Sequence, residues 1–375
     1  MKKLRLLAVL SALSIGTGLF AAPLSEKVAD SFIIRYPSAR QIHWGSDRNS
    51  FTWQTGYVMF AMEHLWNMSG NEKYFDYIRT FAEDRVQKNG DVPDFSKGAL
   101  DNFIPGYALL LMYEKTGDKK YLKAVEHIRD GFRDYPRAEN GMFHHNRGTN
   151  EVWVDGVFMG QMFLSRYAAV TGHKEDFEEV VRQIRGIFSL CGREDGLLYH
   201  AWGPRRGHTE EVWSEGLGWV AVLLADVFDY LPEDFEGYDE IKGYAVRMCE
   251  GLKGCQDPST GMWCQVVDKP LAPGNWNETS GTGMFIYLMK RCLDRGWLPA
   301  EYKDVVIKAY GGIRTKAKVN ADGGYNLLDC SSIGVQRDYE AYISQPREIS
   351  TFAAFASFIL GTGIVEHDKD FFRGN

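Results

Sequence analysis

The sequence has no CxxC pair, no HExxH, no Gly-x-Ser-x-Gly and no phosphate-binding glycine loop, which removes the usual signatures of zinc, serine-hydrolase and nucleotide chemistry. Gly216-Leu217-Gly218 reads as part of a helix start. Six cysteines (191, 249, 255, 264, 292 and 330) are scattered through 375 residues, too sparse for a disulfide framework, although one incidental bridge stays open. Excess positive charge is missing too. A net charge of −7 excludes the basic face that nucleic acid or an anionic membrane would need. No run of alternating β-branched residues is long enough for a sizeable sheet. No Pro-, Ser- or Gly-rich linker or charge block divides the chain, so residues 23–375 read as a single domain.

Several features are positively present. Lys2, Lys3 and Arg5 precede an apolar run from Leu6 to Phe20 and then Ala21-Ala22-Pro23, the pattern of a cleavable signal peptide over residues 1–22, with a periplasmic or secreted mature protein. Aromatic residues make up 14%, with ten Trp and nineteen Tyr, a supply suited to stacking on sugar rings. Helical periodicity predicts an all-α chain with helices at 25–35, 52–68, 72–88, 103–115, 118–133, 154–170, 174–190, 213–229, 236–253, 279–293, 300–314 and 349–362.

The connections between these helices alternate between short and long. Ser69-Gly70-Asn71-Glu72, Thr116-Gly117-Asp118-Lys119 and Thr171-Gly172-His173-Lys174 are near-copies at intervals of about fifty residues: a Gly ends one helix and a polar residue opens the next. The other connections are long and rich in Gly, Trp, His and Asp, as functional loops are. If six hairpins close into a ring, the second helix of each pair lines the inside and every long loop gathers at one face. An open solenoid is the alternative.

The segments ahead of the inner helices hold the residues able to do chemistry. The first carries Trp44 and Trp53, the second Asp101, and the third His144, His145, Trp153 and Asp155. The fourth carries His200, Trp213 and Glu215, the fifth Trp263, Gln265, Asp268 and Trp276, and the sixth Tyr339, Tyr342 and Arg347. Asp155 and Asp101 each also read as helix caps. A proton-donating role for Asp155 requires that a neighbouring charge and desolvation raise its pKa by more than the helix terminus lowers it. Trp213 is expected to stack on sugar, with Trp219 in the core.

Trp153-Val154-Asp155-Gly156 with His144 upstream, Gly196-Leu197-Leu198-Tyr199-His200-Ala201-Trp202, Gly261 to Asp268, and Asn277-Glu278-Thr279-Ser280 together resemble glycoside hydrolase family 105, the unsaturated rhamnogalacturonyl and related glucuronyl hydrolases. The resemblance implies an (α/α)6 barrel of six helical hairpins. It also implies a hydrolase that removes a 4,5-unsaturated uronic acid from the non-reducing end of lyase-generated plant oligosaccharides. In that scheme Asp155 protonates C4 and activates the water that adds at C5, Asp101 tunes it, and no metal or cofactor takes part. His144, His200, Trp213, Trp53, Trp44, Tyr342 and Arg347 would hold the oligosaccharide. One departure stands out: many members carry Arg where this chain has Glu215, so either another cation such as Arg347 or Arg337 meets the uronate carboxylate, or this member recognises a different sugar arrangement. A noncatalytic glycan-binding protein on the same barrel is the competing reading.

Overall fold

The computed structural model describes residues 22–43, 49–205, 207–332 and 334–373; the expected signal segment up to residue 21 and Trp44 lie outside the described residues. Twelve long helices fall where the periodicity places them: α1 Leu24–Arg35, α2 Trp53–Ser69, α3 Glu72–Arg85, α4 Gly106–Thr116, α5 Lys119–Asp130, α6 Val154–Thr171, α7 Lys174–Cys191, α8 Ser214–Asp226, α9 Tyr238–Gly254, α10 Thr279–Asp294, α11 Tyr302–Arg314 and, last, α13 Phe352–Glu366. A short additional helix, α12 Tyr339–Ile343, sits inside the final long loop.

The sequence repeats act as caps. Gly70, Gly117 and Gly172 take left-handed φ values of 68°, 67° and 79°, a conformation a Cβ would penalise. Asn71 and Asp118 then accept the Lys73 and Lys120 backbone N–H groups to start α3 and α5. The outer helices bury one stripe, as in α5 with Tyr121, Ala124, Val125 and Ile128, the spacing of one helical face. The inner helices are buried almost all round; in α8 every residue from Ser214 to Asp226 is buried.

The ring closes. α2 packs on α4, α4 on α6, α6 on α8, α8 on α10, α10 on α13, and α13 back on α2, so the six inner helices are the second members of the six hairpins. The closure is tightest where glycines face one another. A Cβ on Gly283 would lie 2.3 Å from the Ser357 carbonyl oxygen, and one on Gly361 would lie 2.4 Å from the Gly283 oxygen. Gly283→Ala is therefore expected to destabilise the protein by about 1–3 kcal/mol through overpacking, read as a lower urea midpoint; an unchanged midpoint would mean that α10 and α13 can separate freely.

The barrel axis is filled with aromatic rings. Tyr57 and Trp219 lie 4.6 Å apart, Phe158 and Trp219 5.4 Å, and Phe60 and Tyr107 5.1 Å between centroids. Farther along α2 and α6, Arg166 Nη1 pairs with Glu63 Oε2 at 2.8 Å, and His64 Nε2 with Asp226 Oδ2 at 2.9 Å. At the opposite end, neighbouring long loops are stitched together by very short strands. β1 Val152–Trp153, β2 Ala201–Gly203 and β3 Gly207–His208 form one antiparallel sheet, and β4 Ala317–Val319 pairs with β5 Tyr325–Leu327. Each strand is two or three residues long, below the length at which alternation is readable in sequence. All six cysteines are free.

Candidate active site

The stitched loops surround a cavity of about 890 Å³ at the N-terminal ends of the inner helices. Trp53 and Gln54 come from α2, Asp101 and Asn102 from the turn before α4, Asp155 and Met159 from α6, Glu215 and Trp219 from α8, and Phe352 and Ala353 from α13. This is the convergence that a closed ring of parallel inner helices requires.

Loop pairing decides which side chains meet. The register Val152↔Trp202 and Trp153↔Ala201, with Val154 N–H donating to the His200 carbonyl at 3.1 Å, sets His200 beside the first turn of α6. As a result His200 Nε2 lies 3.1 Å from Asp155 Oδ2, and His200 Nδ1 lies 2.8 Å from the Tyr342 hydroxyl. The Gln336 N–H donates to the same phenol oxygen at 3.3 Å. With the hydroxyl donating to Nδ1, Nε2 carries the ring proton and gives it to the carboxylate. A second bridge, Ala99↔Asn146, with Leu100 N–H donating to the His145 carbonyl, brings Asp101 to 3.6 Å from His145 Nε2. The Trp153 ring lies parallel to His145 at 4.3 Å.

The two aspartates are driven in opposite directions. Burial raises the Asp101 pKa, with the Asp155 charge adding to it and His145 opposing, and the net shift is upward. For Asp155 burial also raises, but the His200 charge and hydrogen bond, with His145 and the Asp155 backbone N–H, outweigh it, and the net shift is downward. The expected tuning, in which Asp101 raises Asp155, is not what these shifts give: the Asp155 charge helps to raise Asp101, while Asp155 itself moves down. The physical reason is the His200 contact, which a sequence reading has no means to place.

Glu215 is a third acid on the wall. Its Oε2 lies 2.8 Å from Ser280 Oγ, and the same hydroxyl contacts Glu278 Oε1. Glu278 caps α10, accepting from the backbone N–H groups of Ser280 at 2.7 Å, Gly281 at 2.6 Å and Ser331 at 3.1 Å. Burial, then the Glu278 charge, raise Glu215 well above the usual carboxyl range; Ser280 opposes, and Asp155 adds to the rise.

Several other expected residues sit elsewhere. His144 does not line the cavity; it is buried to the side, its backbone N–H on the Pro136 carbonyl, and burial lowers its pKa. His145 takes the place facing the site. Arg347 also points away, 3.9 Å from Asp329 and 5.3 Å over the Trp276 ring. The next residue, Glu348, lines the cavity and pairs with Cys330, and adjacent residues of an extended segment face opposite sides. Arg337 is 85% exposed and paired with Asp338, so neither arginine supplies a cation to the wall. Neither His200 nor Tyr342, both expected to hold the oligosaccharide, lines the cavity: His200 is buried behind Asp155, and Tyr342 lies behind His200. Trp213 does line the cavity but is only 1% exposed, its Nε1 donating to Ser331 Oγ at 3.0 Å and its ring 4.5 Å from His200. The half-buried plates are Trp53 and Trp153. Trp219, expected in the core, is both core and cavity floor. Ser350, on the wall, takes a φ of 63°, a value uncommon outside glycine and typical of constrained sites.

Among the described residues no three His, Cys, Asp or Glu side chains cluster as metal donors. The site presents carboxyls whose pKa values are shifted in opposite directions, the His145 imidazole and aromatic plates in one bowl, the equipment for acid–base chemistry on a sugar.

Comparison with known proteins agrees with this reading. The sequence model of Glycosyl Hydrolase Family 88 matches residues 24–363. "Protein Atu3128" of Agrobacterium fabrum is 29% identical over 160 residues, 40% of this chain and 68% of that protein. A protein of Formosa agariphila named unsaturated 3S-rhamnoglycuronyl hydrolase is 26% identical over 176 residues, 42% of this chain and 45% of its own length. Among solved structures, a family 105 glycoside hydrolase from C. acetobutylicum superposes with a TM-score of 0.83 at 23% identity, covering 92% of this chain and 99% of the other, and so shares the (α/α)6 barrel. With a family match that spans nearly the whole described barrel, from α1 into the last inner helix, the chain belongs to glycosyl hydrolase family 88.

Proposed function

We propose that the protein removes a 4,5-unsaturated uronic acid from the non-reducing end of a lyase-generated plant oligosaccharide by hydrating the C4–C5 double bond. The observation that carries this reading is a pair of carboxyls lining one cavity, Asp155 hydrogen-bonded to His200 and shifted down in pKa, Asp101 buried and shifted up. A pair pushed apart in pKa supplies an acid and a base at the same pH. Asp101, held neutral, gives a proton to C4. Asp155, held ionised by His200, takes a proton from the water whose oxygen bonds to C5. The product is a hemiketal; its ring oxygen leaves C5, a ketone forms, and the opened sugar releases its aglycone from C1. Solvent then returns one proton to Asp101 and removes one from Asp155. Rhamnogalacturonan-type disaccharides and unsaturated glucuronate on arabinogalactan side chains are the leading substrates; the name of the Formosa relative, unsaturated 3S-rhamnoglycuronyl hydrolase, supports an unsaturated uronyl group joined to rhamnose without choosing the polysaccharide. The basic, apolar and Ala-Ala-Pro pattern at the start of the chain supports export to the periplasm or beyond.

The test is loss of the absorbance of the conjugated double bond on mixing the protein with lyase products of rhamnogalacturonan, arabinogalactan and glycosaminoglycans. Decay on one of them supports the reading, and no decay on any leaves the noncatalytic glycan binder standing. The acid assignment makes a separate prediction. Activity that needs protonated Asp101 must fall as pH rises through its elevated pKa. Asp101→Asn should lower kcat and abolish that alkaline limb, whereas an unchanged limb would assign it to another group.

A further inference from the structure

We propose that Glu215 is a specificity-determining residue for an anionic sugar, held as an uncharged acid by Ser280 and Glu278 so that the substrate carboxylate can lie against the inner wall. This rests on the reaction proposed above, because the C5 carboxylate is one bond from the reacting carbons and must follow them to Asp155.

The hydrogen-bond count comes first. Ser280 has a single hydroxyl proton and two carboxyl oxygens within reach, Glu215 Oε2 and Glu278 Oε1. A hydroxyl cannot donate to both, so the chain Glu215–Ser280–Glu278 is satisfied only when one carboxyl carries a proton. Burial raises Glu278 on balance, but it accepts backbone N–H bonds from Ser280, Gly281 and Ser331, which favour its ionised form, whereas the Ser280 hydroxyl is the one hydrogen bond that lowers Glu215. The proton therefore resides on Glu215.

The surroundings agree. Glu215 is 4% exposed. The titratable groups facing it are Glu278 ahead of α10, Asp155 from α6, Tyr57 from α2 and Cys330 after β5, while His200, engaged with Asp155, packs against Gly216. No Lys or Arg occurs among the described residues lining the cavity, whereas Asp101, Asp155, Glu215 and Glu348 do. An ionised Glu215 would add a second negative charge to the wall beside Asp155, and like charges at close range in a buried site repel strongly. Neutral, it offers no such repulsion.

The consequence is a pH-dependent affinity. KM for an unsaturated uronyl–rhamnose disaccharide is expected to rise about tenfold per pH unit above the Glu215 pKa, with kcat following the separate Asp101 limb. Glu215→Gln, permanently uncharged and of the same size, should keep the low-pH KM and remove the rise. Glu278→Gln, which takes away the largest neighbouring charge, should move the rise to lower pH. An infrared difference spectrum of wild type against Glu215→Gln, recorded without substrate, should show a protonated-carboxyl C=O band at neutral pH.

Absence of that band would overturn the protonation claim whatever the activity. A band accompanied by the same KM rise in Glu215→Gln as in wild type would overturn the specificity claim. Failure of the disaccharide to react with either protein, with the band present, would sink the proposed reaction and this role with it while leaving the buried proton in place.

Discussion

Asp155→Asn is expected to lower kcat by about a hundred- to ten-thousand-fold, the usual worth of a positioned proton-transfer group, with KM changed by a few-fold at most. Asparagine keeps the size of the side chain and can still meet His200, so the stitched 152–154/200–202 segment has no reason to move. What disappears is the negative charge. The base that receives the water proton is gone, and so is one of the charges that raise Asp101 and Glu215. Asp101 should therefore titrate at lower pH in the variant, and any residual activity should lose its alkaline limb earlier than wild type does. Initial rates of double-bond loss across pH, with far-ultraviolet circular dichroism as the folding control, measure all of this. A folded variant that retained more than about a tenth of wild-type kcat would remove Asp155 from the chemistry.

The largest effect on stability is expected far from the cavity, at Arg166. Its guanidinium is about 5% exposed, pairs with Glu63 at 2.8 Å and with Glu114 at 2.6 Å, and lies 4.4 Å over the Tyr107 ring. Glu63 is itself 8% exposed. Arg166→Leu leaves that carboxylate buried without its cation, a loss of about 3–5 kcal/mol. Most of this cost is an orphaned charge, not a lost attraction. The double variant Arg166→Leu/Glu63→Gln should consequently recover much of it, because the remaining amide needs only hydrogen bonds. Urea denaturation of the single and double variants decides. If the double variant is no more stable than the single, the pair contributes through packing, and the charge argument is mistaken.

The helices were readable in the sequence because their punctuation is local. Gly70-Asn71 and Gly117-Asp118 each specify a left-handed stop and a side-chain start within two residues, and the buried stripe of α5 repeats at helical spacing. Long loops between such hairpins pointed to one functional face, and Asp101 and Asp155 do share a cavity. Choosing between adjacent residues inside those loops was another matter. His144 and His145 are neighbours in an irregular segment with no period to say which faces inward; the choice is made by the Ala99↔Asn146 bridge, whose partners are 47 residues apart in the chain. Arg347 and Glu348 exchange places for a similar reason, since the extended pairing with Cys330 turns the acid inward. The Asp155 pKa also hung on a partner, His200, that only the short β1–β2 pairing delivers. Glu278 and Ser280 left one faint trace, an acid followed two residues later by a hydroxyl at a helix start, and nothing in the sequence linked them to Glu215. α12 is five residues long, too brief for periodicity to register.

The rings of Tyr57, Phe60, Tyr107, Phe158 and Trp219, backed by Arg166–Glu63 and His64–Asp226, occupy the space through which a polymer would have to thread. The bowl is thus a dead end. A long glycan can present only a terminus to it, and both fragments must depart by the door through which the chain entered. On the reaction proposed above, such a dead end makes a trimmer of ends that lets go after every cut, with any preference for length set by what the loops at the rim grip, not by the depth of the barrel.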